Sequence, residues 1–156
     1  MRKFERISKE EFIKKSKENS YDNIILPKRQ TINSAGYDFY LPEDYVFGAN
    51  QVTIVYTGVK VCLEPDEFLA IVTRSSIGIK KGLVLANQVG IIDSDYYNNV
   101  DNEGHIMIAF RNLNDFDITL NKGERVAQGI FMKYLKTTDD DVSCVRKGGI
   151  GSTKSL

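Results

Sequence analysis

The feature that most narrows the fold is a succession of short apolar runs separated by turn residues. Residues 37–41, 52–56, 59–63, 68–73, 105–110, 116–120 and 125–134 each have strand length and are rich in β-branched or aromatic side chains. Thr57-Gly58, Glu64-Pro65-Asp66-Glu67, Asn112-Leu113-Asn114 and Asn121-Lys122-Gly123 break the runs with turn chemistry. That pattern predicts an all-β barrel or sandwich. Ahead of it, Ser8-Lys9-Glu10-Glu11 is a capping box, with Ile7 and Phe12 at the positions of a hydrophobic staple. A short helix over residues 9–18 follows, and then a short strand over 24–26 stopped by Pro27. Ser75-Ser76-Ile77-Gly78 reads as a helical turn or tight loop, and residues 98–104 as a polar loop. Asp139-Asp140-Asp141 and residues 146–156 read as linker and tail, with no apolar pattern to order them alone. The expected organisation is one domain over 1–156, with an N-terminal helical extension (1–23) and a mobile C-terminal tail (142–156).

The 156 residues carry equal numbers of acidic and basic side chains. Zero net charge argues against a protein that grips nucleic acid or an anionic membrane by bulk charge. It leaves room for a local basic site for one small polyanion. With Cys62, Cys144 and the single histidine His105, no zinc spacing exists. Two free thiols, no apolar run of about 18 residues and no apolar stretch after the N-terminal Met-Arg-Lys fit an intracellular, cytoplasmic protein without a membrane span.

Five segments have unusual composition for an all-β surface. Residues 83–97, LVLANQVGIIDSDYY, read as a β-hairpin whose second arm ends at the acid pair Asp93 and Asp95. A carboxylate at the end of a rigid strand can be aimed, although a solvated acidic turn gives the same pattern. Ser34-Ala35-Gly36-Tyr37-Asp38 sets small residues before an aspartate. Arg74-Ser75-Ser76-Ile77-Gly78 reads either as a capped turn or as a cradle for phosphate oxygens. Gly123-Glu124-Arg125-Val126-Ala127-Gln128 puts Arg125 and Gln128 on a strand, with Arg125 free to pair with Glu124 or Asp38. Residues 146–153 are basic and glycine-rich, and can fold over a polyphosphate or stay disordered.

Taken in order, these segments resemble the five motifs of the trimeric dUTPase family, over about residues 24–156. The resemblance implies a jelly-roll-like β-barrel, a homotrimer with sites at subunit interfaces, and hydrolysis of dUTP to dUMP and pyrophosphate. By the same resemblance Asp93 is the general base for water attack at the α-phosphate. Asn87, Gly90 and Ile92 bind uracil, and Tyr96 lies under the deoxyribose. Arg74, Ser75, Ser76 and Gln128 hold phosphates. Asp38 and Arg125 brace the site. Arg146, Ile150, Gly151, Ser152 and Thr153 close over the nucleotide from a different chain than the one supplying Asp93. Mg²⁺ sits on phosphate oxygens and water, with no protein ligand assigned.

Three departures from the family pattern stand out. Ile150 replaces the usual phenylalanine, Arg146 stands one residue closer to the glycine pair than the motif's arginine, and the loop after Tyr96 is longer than usual. Two rival readings share the fold. A dCTP deaminase needs a glutamate on the strand that here reads His105-Ile106-Met107-Ile108-Ala109-Phe110, where there is no carboxylate. The other rival is a regulatory or binding protein in which hydrolysis is lost.

Overall fold

The structure, a computed structural model, describes residues 1–149. Its strands are β1 (Lys3–Arg6), β2 (Tyr37–Tyr40), β3 (Tyr45–Phe47), β4 (Val52–Tyr56), β5 (Val59–Cys62), β6 (Glu67–Thr73), β7 (Leu83–Leu85), β8 (Gly90–Asp93), β9 (Met107–Asn112), β10 (Ile118–Leu120) and β11 (Arg125–Lys133). Two short helices, α1 (Lys9–Phe12) and α2 (Ser75–Lys81), join them, with 3₁₀ turns at Glu18–Asn23 and Ser94–Tyr96. The all-β class matches the sequence reading.

A four-stranded sheet runs in the order β2-β11-β6-β8, and a three-stranded sheet in the order β4-β9-β7. Two ribbons, β1-β5 and β10-β3, complete the fold. Every pairing is antiparallel. Alternation puts Phe39, Leu69 and Ile71 of the first sheet into one core with Val55, Leu85, Ile108 and Phe110 of the second. Each such side chain stabilises the fold by about 1.5–3 kcal/mol when taken out of water. Phe47 and Phe110 add an edge-to-face contact at 5.7 Å, and Phe4 and Phe39 another at 5.8 Å.

The N-terminal segment departs from expectation in three ways. Helix α1 spans Lys9–Phe12 and stops well short of residue 18. Beyond Phe12 the one apolar side chain before residue 20 is the exposed Ile13, so no stripe carries the helix on. Only half of the capping box forms. The Ser8 hydroxyl accepts from the Glu11 amide at 3.1 Å, but the Glu11 carboxylate turns to Lys14. The Ser8 amide and hydroxyl instead donate to Glu103, at 2.9 and 2.6 Å. Residues 24–26 form no strand: Ile24 is buried while Ile25 and Leu26 are exposed. A Cβ on Gly58 would fall 2.4 Å from Ile24 Cδ1, and Gly58 has φ +71°, so the position requires glycine twice over. Strands β1 and β3 went unforeseen because four and three residues carry too little pattern to be seen without their partners β5 and β10.

His105 lies at the centre of this packing, 1% exposed, with its Nε2 accepting from the Gly58 amide at 2.9 Å. Burial pushes its pKa down from 6.5 to about 4, against an opposing pull from Glu103. The native state therefore binds fewer protons than the unfolded chain between those pH values. The stabilising contribution is full above pH 6.5 and fades as pH falls towards 4, to a total of about 3 kcal/mol. We expect urea unfolding of the wild type to lose about that much between pH 6.5 and 4, and His105→Leu to lose that part of the pH slope. Parallel pH profiles for the two proteins would contradict a neutral, buried His105.

Candidate active site

The sequence reading makes residues 83–93 a hairpin, and the structure corrects this. Strand β7 pairs with β9, with Leu83 opposite Asn112 and Leu85 opposite Phe110. Strand β8 pairs with β6, with Gly90 opposite Ile71 and Asp93 opposite Phe68. The apolar pattern specifies that both runs be buried; it does not specify a partner, and longer strands win both. Residues 86–89 therefore cross from one sheet to the other. The crossing is tightened by Gln88 N to Leu85 O at 3.0 Å and Val89 N to Asn87 O at 2.7 Å. Thr73 Oγ1 ties its entrance by accepting from Leu85 N at 3.1 Å.

The divergence opens a cavity of about 490 Å³ between the sheets. Asn87, Gly90, Ile92, Asp93 and Tyr96 stand on one side of it, and Met107 and Ala109 of β9 on the other. Met107 and Ala109 were not foreseen as site residues. Period-two alternation along β9, with Ile108 and Phe110 in the core, is the signal that would have found them. No carboxylate stands on β9.

Asp93 ends β8, and the Ser94–Tyr96 turn brings Asp95 beside it. Arg146 spans the pair, with Nη2 to Asp93 Oδ2 at 2.6 Å and Nε to Asp95 Oδ1 at 2.7 Å. Its guanidinium carbon lies 5.9 Å from the Tyr96 ring centre. Two carboxylates this close repel, and one guanidinium donating to both offsets that. Both carboxylates are about half exposed, so the contact stabilises the chain only slightly. The tail expected from a different chain thus reaches its own chain's Asp93. Residues 134–145 are exposed throughout, and such a stretch can span up to about 40 Å, so the linker itself sets no preference. The Tyr96 ring is buried, and burial pushes its phenol up while a hydrogen bond from Asn102 pulls the other way. Ile150, Gly151, Ser152 and Thr153 lie outside the described residues.

A second cluster centres on the buried Asp38 of β2. Its Oδ1 takes Arg74 Nε at 3.1 Å and its Oδ2 takes Arg125 Nη1 at 3.0 Å. The choice left open for Arg125 thus falls on Asp38. Arg74 also donates to the Arg125 carbonyl at 3.3 Å, so both arginines are fixed. Ser75 and Ser76 follow as the first turn of α2, with Ser75 exposed. Gln128 stands opposite both Val72 and Asp38 on β11. A Cβ on Gly36 would lie 2.2 Å from Gln128 Oε1, so glycine there gives the amide its place.

The two clusters share one sheet face but not one place on it. Cross-strand neighbours point the same way, so Asp93, Phe68 and Met132 form one row, Ile91, Ala70 and Ile130 the next, and Val72, Gln128 and Asp38 a third. Asp93 is level with Phe68, and Arg74 comes six residues later along the chain. At about 3.3 Å per residue that is roughly 20 Å. Between them lies the apolar row of Ile91, Ala70 and Ile130, on which Ile91 is exposed, as is Met132 in the row of Asp93.

The family model for dUTPase matches residues 22–154. The deoxyuridine 5'-triphosphate nucleotidohydrolase of Lactococcus lactis is 46% identical over 132 residues, covering 83% of this chain and 88% of that protein. The enzyme of the same name from Helicobacter pylori strain J99 is 30% identical over 138 residues, covering 85% and 91%. Among solved structures, the crystal structure of dUTPase from Streptococcus mutans aligns with a TM-score of 0.73 at 44% identity, over 86% of this chain and 97% of that one. A dUTPase from phage phi11 of S. aureus shares the fold, with a TM-score of 0.71 at 18% identity over 91% and 96%.

Asp38→Asn leaves two arginines facing an amide. We expect a loss of about 2 kcal/mol in urea unfolding, the scale of hydrogen bonds to charged groups. A change within about 0.5 kcal/mol, as at an ordinary surface site, would show that the arginines do not depend on Asp38.

Proposed function

The chain belongs to the dUTPase family, and from that premise we propose that it hydrolyses dUTP to dUMP and pyrophosphate, with Asp93 as the base that activates water for attack at the α-phosphate. The observation that carries this reading is the cavity with Asn87, Tyr96 and Asp93 on its wall. Uracil enters beside the crossing at 86–89, where backbone groups of Gly90 and Ile92 and the Asn87 amide read its edge. A tight crossing backed by Met107 and Ala109 disfavours a thymine methyl by shape. Tyr96 supports the deoxyribose. Asp93, half exposed at a strand end, faces a water and the α-phosphate.

Arg74, Ser75, Ser76 and Gln128 take the phosphate role, with Asp38 and Arg125 bracing them. Separation by roughly 20 Å means that one chain's Arg74 cluster cannot serve its own Asp93. A second copy docked on the apolar face between the clusters supplies what is missing, and three copies in a ring give every site the same two-chain parentage. This supports the homotrimer. The tail residues Arg146, Ile150, Gly151, Ser152 and Thr153 close over the nucleotide. Arg146, which engages the two carboxylates in the single chain, turns to the phosphates when dUTP binds.

Mg²⁺ fits this site as an ion on phosphate oxygens and water. Among the described residues no three His, Cys, Asp or Glu side chains stand together to hold a metal by themselves, which fits a hard cation carried mainly by phosphate oxygens and water. When bound, the ion would neutralise phosphate charge in the transition state. The phage phi11 relative is described with a structural Mg(II) ion.

Incubation with dUTP, dCTP and Mg²⁺ tests the reaction: pyrophosphate from dUTP is expected, and ammonia from dCTP would overturn the reading. Asp93→Asn is expected to keep the fold and bind a nonhydrolysable dUTP analogue while losing about two to four orders of magnitude in kcat. Near-normal turnover would place the base elsewhere.

The two-chain site makes a separate prediction. Asp93→Asn and Arg74→Ala chains, each nearly inactive, are unfolded and refolded together in equal amounts. A site then works only when its Asp93 comes from the second variant and its Arg74 from the first. About a quarter of the sites should recover by random mixing in a closed ring. Mixed oligomers without recovered activity would mean that both groups act within one chain.

A further inference from the structure

The loop after Tyr96 does more than connect. Three consecutive residues in it face three different parts of the chain. Asp101 accepts from the Gly149 amide of the tail at 3.0 Å. Asn102 donates from Nδ2 to the Tyr96 hydroxyl at 2.8 Å. Glu103 receives the Ser8 amide and hydroxyl from the N-terminal segment, which precedes the residues matched by the family model.

The hydrogen bonds around Asn102 fix its orientation. Its Oδ1 accepts from the Gly104 amide at 3.1 Å and from Asn99 Nδ2 at 2.8 Å, and a backbone N–H can only donate. Nδ2 therefore faces Tyr96. The Tyr96 hydroxyl donates its proton to the His105 carbonyl at 2.9 Å, so its oxygen is an acceptor for Asn102. The His105 amide returns to the Asn102 carbonyl at 2.9 Å, which closes the arrangement. Both donors to the Asn102 oxygen come from within the loop, and the loop is pinned from outside through Glu103.

We propose that Asn102 is a positioning residue for deoxyribose selection: it sets the tilt of the Tyr96 ring from behind, through the phenol oxygen. The inference rests on the reading of Tyr96 as the support of the deoxyribose. Held at the hydroxyl by His105 and Asn102, the ring keeps one distance to the sugar, which leaves no room for a 2′-hydroxyl. Released from Asn102, the ring swings about its remaining bond and admits a ribose more readily.

Asn102→Asp separates this role from a structural one. The aspartate keeps an oxygen for Gly104 and Asn99 but replaces the Nδ2 donor with a carboxylate oxygen, which takes the Tyr96 phenol proton away from the His105 carbonyl, so that one of the two bonds holding the ring is lost. Steady-state kinetics with dUTP and UTP should show KM for dUTP rising about five- to tenfold and the preference for dUTP over UTP falling by a similar factor, the effect of one lost hydrogen bond. The value of kcat should stay within about twofold. In a Tyr96→Phe background the same substitution should add nothing, because no phenol oxygen remains. Wild-type KM and preference in a folded Asn102→Asp protein would overturn the proposal. If Asn102→Asp does not fold, Asn102→Ala takes its place in the cycle with Tyr96→Phe, and additive losses there overturn it. Tyr96→Ala keeps the two readings apart: if it leaves the preference for dUTP untouched, the role of Tyr96 itself fails.

Discussion

The structure depends on strand β6 being paired along both edges. Its ladder with β11 runs from Glu67 opposite Lys133 to Thr73 opposite Ala127, and β8 covers the other edge from Phe68 to Ile71. A strand held on both sides cannot slip by one residue without turning Leu69 and Ile71 out of the core. That fixed register sets where the two clusters stand. Asp93 is level with Phe68 at one end, and Arg74 leaves the other end to meet Asp38. The roughly 20 Å between them is a property of a rigid ladder and not of a loop.

Much of this was legible in the sequence, and the part that was not has a common cause. The long apolar runs that became β4, β5, β6, β9 and β11 could be read because alternation over five or more positions has few other solutions. The pairing of Arg125 with Asp38 was one of two options, and burial of Asp38 under two arginines decides it. What failed was choice of partner. Residues 83–93 carry two short apolar runs around a polar break, the pattern of a hairpin, yet each run finds a longer strand elsewhere. Likewise the Ser8 box forms on one side only, because Glu103 sits 95 residues away in sequence and nothing local announces it. Pattern reports burial and local geometry; it does not report which distant group fills a vacancy.

The loop at 97–104 shows the same limit from the other side. Its composition, with Asn98, Asn99 and Asn102, announces turns that bond to themselves, and Asn99 does accept from the amides of Asp101 and Asn102. The outward contacts of Asp101, Asn102 and Glu103 depend on what the fold brings near. Asn98 and Glu103, both at positive φ, mark where the backbone bends to present those side chains.

The proposed assembly would have two consequences for the chemistry. In one chain Asp93 is half exposed, and its ion pair with Arg146 is weakened by water. In the proposed ring, covering the face on which Ile91 and Met132 are exposed would remove that water and bring an Arg74 cluster from a second copy towards the carboxylate. The same charges then act at a lower effective dielectric, where donors aimed at a developing phosphate charge count for several times more. The free energy for docking comes from the apolar rows, and the electrostatic gain appears only once they are covered. On the proposed reading, a chain that kept its charged groups but lost the apolar face would hold every side chain assigned to the chemistry and still lack a site.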